Sequence, residues 1–263
     1  MDTSTLCGFD ELELLAPATR DLIAANDDEL RAMRRYPAVS GHFSLPSLLE
    51  ITVPSAIATV LREPRARLVS LYTYWRTPHI FDPWLPYTLE QVVLAPLGEF
   101  LANPLLAPAV DNQICRMLLH GDQRIPTEGF IAQTDMHAIA EAAAERLQGL
   151  GFTGVLELGD SAWQGMGQFF GAALHPRRLN AAGDHGAPTP ADTAHAEVVD
   201  AEELQLLEQR STADRIVYEQ ALELAGVGPL DRSRIADVAL ASGLDRLEDL
   251  LRAPHEALAP AAY

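Results

Sequence analysis

The sequence predicts an α/β fold: a mainly parallel sheet flanked by helices, with extra C-terminal helices. Three observations carry this. Residues 57–61 are a short, nearly uninterrupted apolar run containing β-branched side chains, the pattern of a strand buried on both faces. Pro64 then sets a backbone angle suited to a first helical turn and gives up an amide that a helix start leaves unpaired anyway. From Arg65 onward Leu68, Leu71, Tyr72 and Trp75 recur at three- and four-residue spacing, and residues 152–158 followed by an Asp160-capped helix repeat the strand-to-helix order.

Composition bounds the function. The 263 residues suffice for one sizeable core, and the 48% hydrophobic and 21% charged content is that of a globular protein. A formal charge of −18 argues against a general binder of nucleic acid or anionic membrane. All 19 basic residues are arginine; there is no lysine. Cys7 and Cys115 have no metal-binding or redox spacing, so no metal is expected and both thiols are expected to be reduced. The N-terminus lacks a basic segment followed by an apolar one, and no stretch approaches the ~18 apolar residues of a membrane span. A soluble, cytoplasmic protein is the expectation.

Along the chain, residues 10–35 read as a helix ended by Pro37, and Ala38 with Val39 as a short strand. Gly41 and His42 follow, with the small Ser40 and Gly41 holding the imidazole close to the backbone path. Residues 57–76 place Arg62 at a strand end and Ser70 about two turns into the next helix. Ligands of open parallel sheets bind at the carboxyl ends of strands, where a guanidinium grips a phosphate bidentately and a hydroxyl adds a shorter neutral bond. Arg67, one turn before Ser70, faces the same region. The competing explanation is that Arg62, Arg65 and Arg67 pair with Glu63 or with other carboxylates of this acidic chain.

After Arg76 a proline- and aromatic-rich stretch offers Trp84 and Tyr87 as a substrate wall or as loop anchors. Residues 88–102 read as helical apart from a break at Pro96. Asp111 or Asn112 caps a helix that puts Ile114, Met117 and Leu118 on one face. Asp135 caps the next helix, which Gly149 and Gly151 end. Glu157 falls at the end of the 152–158 strand, as an acceptor orienter or, more simply, a structural partner for an arginine. Residues 181–199 are rich in Ala, Gly, Pro and Asp and read as a surface loop. Ser211 opens a helix with Val217, Ala221 and Leu224 as its inward stripe. Beyond Pro229 two short helices, 231–242 and 244–252, form a tail. The chain thus divides into a domain over 1–226 and a helical tail over 227–263.

The order Arg62-Glu63-Pro64, then Arg67, Ser70 and Tyr72, resembles the 3′-phosphate-binding segment of sulfotransferases that use 3′-phosphoadenosine-5′-phosphosulfate, in particular the carbohydrate branch. The likeness covers roughly residues 36–226. It implies a three-layer, P-loop-type, mainly parallel sheet. It implies that Arg62 and Ser70, eight residues apart, hold the donor's 3′-phosphate, with Arg67 beside them. Gly41-His42 followed by an aromatic residue, some twenty residues ahead of the motif, is a second shared feature. It implies that His42 is the general base for the acceptor hydroxyl, a role that an ordinary imidazole pKa of ~6.5 suits. The acceptor implied is a carbohydrate or small metabolite, with no nucleic acid or metal involved; the oligomeric state is left open.

The pattern breaks at one place. Members of this kind begin with a strand and a lysine-containing glycine-rich loop that binds the 5′-phosphosulfate. No such loop precedes Gly41 here, and the chain has no lysine. Two readings stay open: a chain that starts downstream of that strand and loop, or a non-catalytic sulfotransferase-like domain that keeps the fold and serves in binding. Retention of His42, Arg62 and Ser70 favours the first.

Overall fold

A computed structural model describes residues 6–7, 38–39, 41, 43–75, 95–174 and 199–252. The expected helix over 10–35, the His42 side chain, Trp84, Tyr87 and the 181–198 part of the expected loop lie outside these residues. The described part is rich in helix, with strands joined in two parallel pairs. β1 (Leu6–Cys7) lies beside β2 (Ala38–Val39), and β3 (Ala58–Leu61) beside β4 (Phe152–Val155). The short strand expected at 38–39 is therefore present, and its partner at 6–7 is one that periodicity does not reveal in so short a segment.

β3 and β4 run in register from Ala58 opposite Phe152 to Leu61 opposite Val155. Two glycines allow this pair to seat. A Cβ on Gly151 would stand 2.0 Å from the Ser55 carbonyl oxygen, and one on Gly165 would stand 2.7 Å from the Phe152 ring. The expectation that residues 57–61 are buried on both faces holds at the ends, Ile57 and Leu61, while Ala58, Thr59 and Val60 are half-buried. The strand expected over 152–158 stops at Val155. Residues Leu156–Leu158 turn into a 3-10 helix because Gly159, at φ 58°, bends the chain toward the next helix.

Ten helices follow the order α1 (Leu45–Leu49), α2 (Pro64–Trp75), α3 (Leu97–Ala102), α4 (Ala107–Val110), α5 (Gln113–Leu118), α6 (Met136–Gln148), α7 (Asp160–Phe170), α8 (Ala201–Arg210), α9 (Thr212–Leu224) and α10 (Pro229–Arg252) among the described residues. One apolar core joins β3 and β4 to α5, α6 and α9, through side chains such as Ile114, Ile139, Leu147, Val155, Val217 and Leu222. A second joins α2, α3 and α8 through Leu68, Tyr72, Phe100, Leu101 and Leu207, and also takes in Leu247 of α10.

Several local expectations are corrected. The tail holds one continuous helix, α10, where two were expected. Gly243 stays helical and lets the helix approach α2, with its Cβ position 3.7 Å from Ala66 Cα. The inward stripe of α9 runs Val217, Ala221, Leu222, and Leu224 is 48% exposed. On α5 the buried neighbour of Ile114 and Leu118 is Cys115; Met117 is half-buried. Asp135 forms no side-chain cap on α6, since its backbone is held in the 3-10 turn Gln133–Asp135.

The cap of α5 also comes from elsewhere. Asn112, at φ 47°, precedes the helix but makes no side-chain cap for it. The free amides of Ile114 and Cys115 donate instead to Asp214 of α9, at 3.0 and 2.8 Å. In return Asn112 Oδ1 accepts the Ala213 and Asp214 amides at the start of α9, at 2.7 and 3.2 Å. Two helix N-termini are thus capped by each other's residues. Asp111 completes this buried node: it accepts from Arg116 and from the Ile131 amide, both at 2.8 Å, while Arg116 also donates to the carbonyls of Pro126 and Gly129.

Candidate functional site

The candidate site opens where β3 gives way to α2. Leu61 is the last strand residue, Arg62 and Glu63 span the break, and Pro64 begins the helix. Glu63 is fully buried and acts as the N-terminal cap of α2: its Oε2 accepts the Ala66 amide at 2.7 Å. Its Oε1 accepts from Arg65 Nε at 2.7 Å, and Arg65 reaches on to Glu208 of α8 at 2.6 Å. Burial raises the Glu63 pKa above the ordinary carboxylate value, and the bonds from Ala66 and Arg65 oppose that rise. Glu157 underpins the turn. Its Oε1 accepts the Glu63 amide at 3.0 Å and its Oε2 the Tyr218 hydroxyl at 2.9 Å. Glu157 is thus a structural partner, of a backbone amide and a tyrosine rather than of an arginine.

The three arginines of the motif have different surroundings. Arg65 takes the carboxylate pairing that its acidic neighbours suggest. Arg62 does not. Its guanidinium is half-buried and forms no hydrogen bond or ion pair among the described residues. Its pKa is lowered first by burial and next by the like charge of Arg246 on α10, against the opposing charges of Glu157 and Glu63. Arg67 donates one bond, to the Ala109 carbonyl at 2.8 Å, and its Nε is buried with no partner. Burial pushes the Arg67 pKa down to about 10; Asp214 opposes the shift and the nearby charge of Arg62 adds to it.

Arg62 and Arg67 therefore share one electrostatic neighbourhood, with unmet donors on both. Ser70 follows Arg67 by one turn of α2, is half-buried, and its hydroxyl forms no hydrogen bond among the described residues. The position of His42 relative to these groups lies outside the described residues. A third cation, Arg246, whose charge is felt by Arg62, is one that sequence reasoning missed. It holds the Ser242 carbonyl and hydroxyl at 2.9 and 3.1 Å along α10. Its sequence signal was a serine four residues ahead of an arginine on one helix, which is indistinguishable from a solvated face until α10 is seen against α2.

Chemically, clustered guanidiniums with unmet donors at a strand end suit a polyanion such as phosphate, because each bond made is charge-assisted and the like-charge repulsion is relieved on binding. Among the described residues no group of His, Cys, Asp and Glu side chains is arranged to hold a metal ion. Cys115 is buried, and burial raises its thiol pKa, so it is not poised as a nucleophile. Comparison with protein-family models, curated proteins and solved structures finds no match to this chain.

Proposed function

We propose that the mouth formed by Arg62, Arg67 and Ser70 binds the 3′-phosphate of an adenosine nucleotide, and that the chain is a sulfotransferase using 3′-phosphoadenosine-5′-phosphosulfate. The observation that carries this reading is the pair Arg62 and Arg67: neighbouring, partly desolvated cations at the carboxyl end of a parallel strand, with donors unmet among the described residues. A three-layer, P-loop-type sheet in a cytoplasmic protein belongs to the same reading.

In this reading the acceptor is a hydroxyl of a carbohydrate or small metabolite. Its oxygen attacks the donor's sulfur as His42 takes the hydroxyl proton. The bond between sulfur and the bridging phosphate oxygen breaks, and its electron pair leaves with 3′-phosphoadenosine-5′-phosphate. Arg62 and Ser70 anchor the distant 3′-phosphate and take no part in the bond change.

A second reading, a sulfotransferase-like binding domain without turnover, is favoured by one observation: the chain contains no lysine to meet the charge that develops on the leaving phosphate. Sulfate transfer from labelled donor to a panel of sugars and phenols separates the two. The first expects product, and the second expects binding of donor and product alone, with about equal affinity because uniform contacts favour no transition state.

Calorimetric titration with 3′-phosphoadenosine-5′-phosphate tests the shared core of both. Arg62→Ala is expected to lose one charge-assisted phosphate contact, about 1.5–3 kcal/mol, or roughly 10- to 150-fold in affinity. Equal affinity of the variant and the wild type, or tighter binding of adenosine 5′-monophosphate, overturns the assignment.

A further inference from the structure

Where the β3–β4 ladder stops, a side chain supplies its next bond. Phe152 N donates to Ile57 O at 3.2 Å, so Ile57, and by alternation Thr59 and Leu61, turn their backbone groups toward β4. Glu63 is next in that series. Continuing the register of Leu61 opposite Val155, a parallel ladder would have the Glu63 amide donate to the Leu156 carbonyl. That carbonyl is already used: it accepts Gly159 N at 3.0 Å across the 3-10 turn Leu156–Leu158. The Glu63 amide donates to Glu157 Oε1 instead, at 3.0 Å.

This amide belongs to the planar unit that joins Arg62 to Glu63, so holding it fixes ψ of Arg62 and the direction in which that side chain leaves the backbone. Nothing fixes the far end, because the Arg62 guanidinium forms no hydrogen bond or ion pair among the described residues. The anchor is itself anchored. Glu157 Oε2 accepts the Tyr218 hydroxyl at 2.9 Å, and Tyr218 is buried in α9. A carboxylate suits this position because its two oxygens accept from Glu63 and Tyr218 at once. Both are occupied within the protein, and the charge of Glu157 also acts on Arg62.

We propose that Glu157, oriented by Tyr218, is a positioning residue for the phosphate site: it aims Arg62 from the strand end without touching the ligand. The inference rests on the reading that Arg62 holds the nucleotide's 3′-phosphate. Arginine is long and flexible, and a phosphate contact is strong only where the guanidinium is held in place before the ligand arrives. At this break the strand ladder has ended and the helix has not begun, so the Glu157 bond is what orders the backbone under Arg62. Tyr218 brings α9 into the site through the same carboxylate.

Calorimetric titration of the full chain with 3′-phosphoadenosine-5′-phosphate, arranged as a double-mutant cycle, tests this. Glu157→Ala is expected to weaken binding about tenfold in the wild-type background and less than about twofold beside Arg62→Ala, because its effect passes through Arg62. Tyr218→Phe keeps the buried ring packed and is expected to show the same pattern at about threefold. Glu157→Gln is expected to bind at least as tightly as the wild type. It keeps an oxygen for the Glu63 amide, its N–H can donate to the Tyr218 oxygen, and it removes a negative charge from beside the phosphate. Three results overturn the inference alone: losses of equal size with and without the Arg62 side chain, wild-type affinity in both Glu157→Ala and Tyr218→Phe, or Glu157→Gln as weak as Glu157→Ala. Arg62→Ala binding as tightly as the wild type overturns the underlying reading, and this inference with it.

Discussion

Two groups of buried polar side chains sit close together in this molecule and differ in how their bonds are met. At the junction of α5 and α9, Asn112 and Asp214 cap each other's helices, and Asp111 accepts bonds from Arg116 and the Ile131 amide. At the end of β3, Arg62 forms no hydrogen bond and Arg67 keeps a buried Nε unmet, among the described residues. Asp214 links the two regions, since its charge is felt by Arg67. The contrast teaches how to separate a polar group that holds the fold from one that awaits a ligand. A buried group whose every bond is made contributes to the folded state, and removing it strands its partners. A partly desolvated group with unmet bonds costs the folded state free energy and is expected to be neutral or beneficial to remove.

The largest effect expected is on the first side. Asp214→Ala strands the amides of Ile114 and Cys115 inside the protein and deprives Arg67 of an opposing charge. A loss of about 3–5 kcal/mol is expected by urea unfolding. A loss below about 1 kcal/mol would erase the contrast. Asn112→Ala comes next, at about 2 kcal/mol, for the loss of the α9 cap plus strain at a positive φ. Asn112→Gly relieves the strain and keeps the capping loss, so it is expected to fall between wild type and Asn112→Ala. With Asp214→Ala the Asn112 effect should be non-additive, because the two residues share one junction.

The second side predicts the opposite sign. Arg62→Ala, expected to weaken nucleotide binding, is expected to leave stability unchanged within about 0.5 kcal/mol or to raise it, since it removes a half-buried cation beside Arg246. A clear destabilisation would move Arg62 into the structural class with Arg65. The smallest effect sharpens the comparison with a pair that is fully bonded yet only half-buried. Two bonds from the Arg124 side chain and one from its amide hold the Asp122 carboxyl down to about 2. A carboxyl with a native pKa below its unfolded value stabilises the fold above the unfolded value, near 3.8, and loses that contribution as pH falls toward 2. Unfolding curves from about pH 5 to about pH 1, roughly one unit beyond each end of that interval, are expected to converge for wild type and Asp122→Asn at the acid end. A gap that persists at the acid end would show that the amide substitution acts through something besides the charge.

The sequence alone determined the features that rest on neighbours along the chain. The break from β3 into α2 was legible because Pro64 can start a helix and cannot continue a buried strand, and the apolar spacing changes there. The strand at Ala38–Val39, the body of α6 and the Val217–Ala221 face of α9 were legible for the same kind of reason. Arg62 and Ser70 could be named as candidates because a strand end followed by a helix is a local pattern. Which arginine stays unmet was not legible. Arg62, Arg65 and Arg67 lie within six positions of one another, yet only Arg65 finds carboxylates, one of them on α8 and 143 residues away. The same holds for Asp214 capping α5 from 99 and 100 residues away, for Arg246 beside Arg62, and for the passage of α10 through Gly243. Local periodicity fixes where a backbone turns and which face is apolar. The partner of a charge or a cap is fixed by distances in space, and those exist only once the helices have packed.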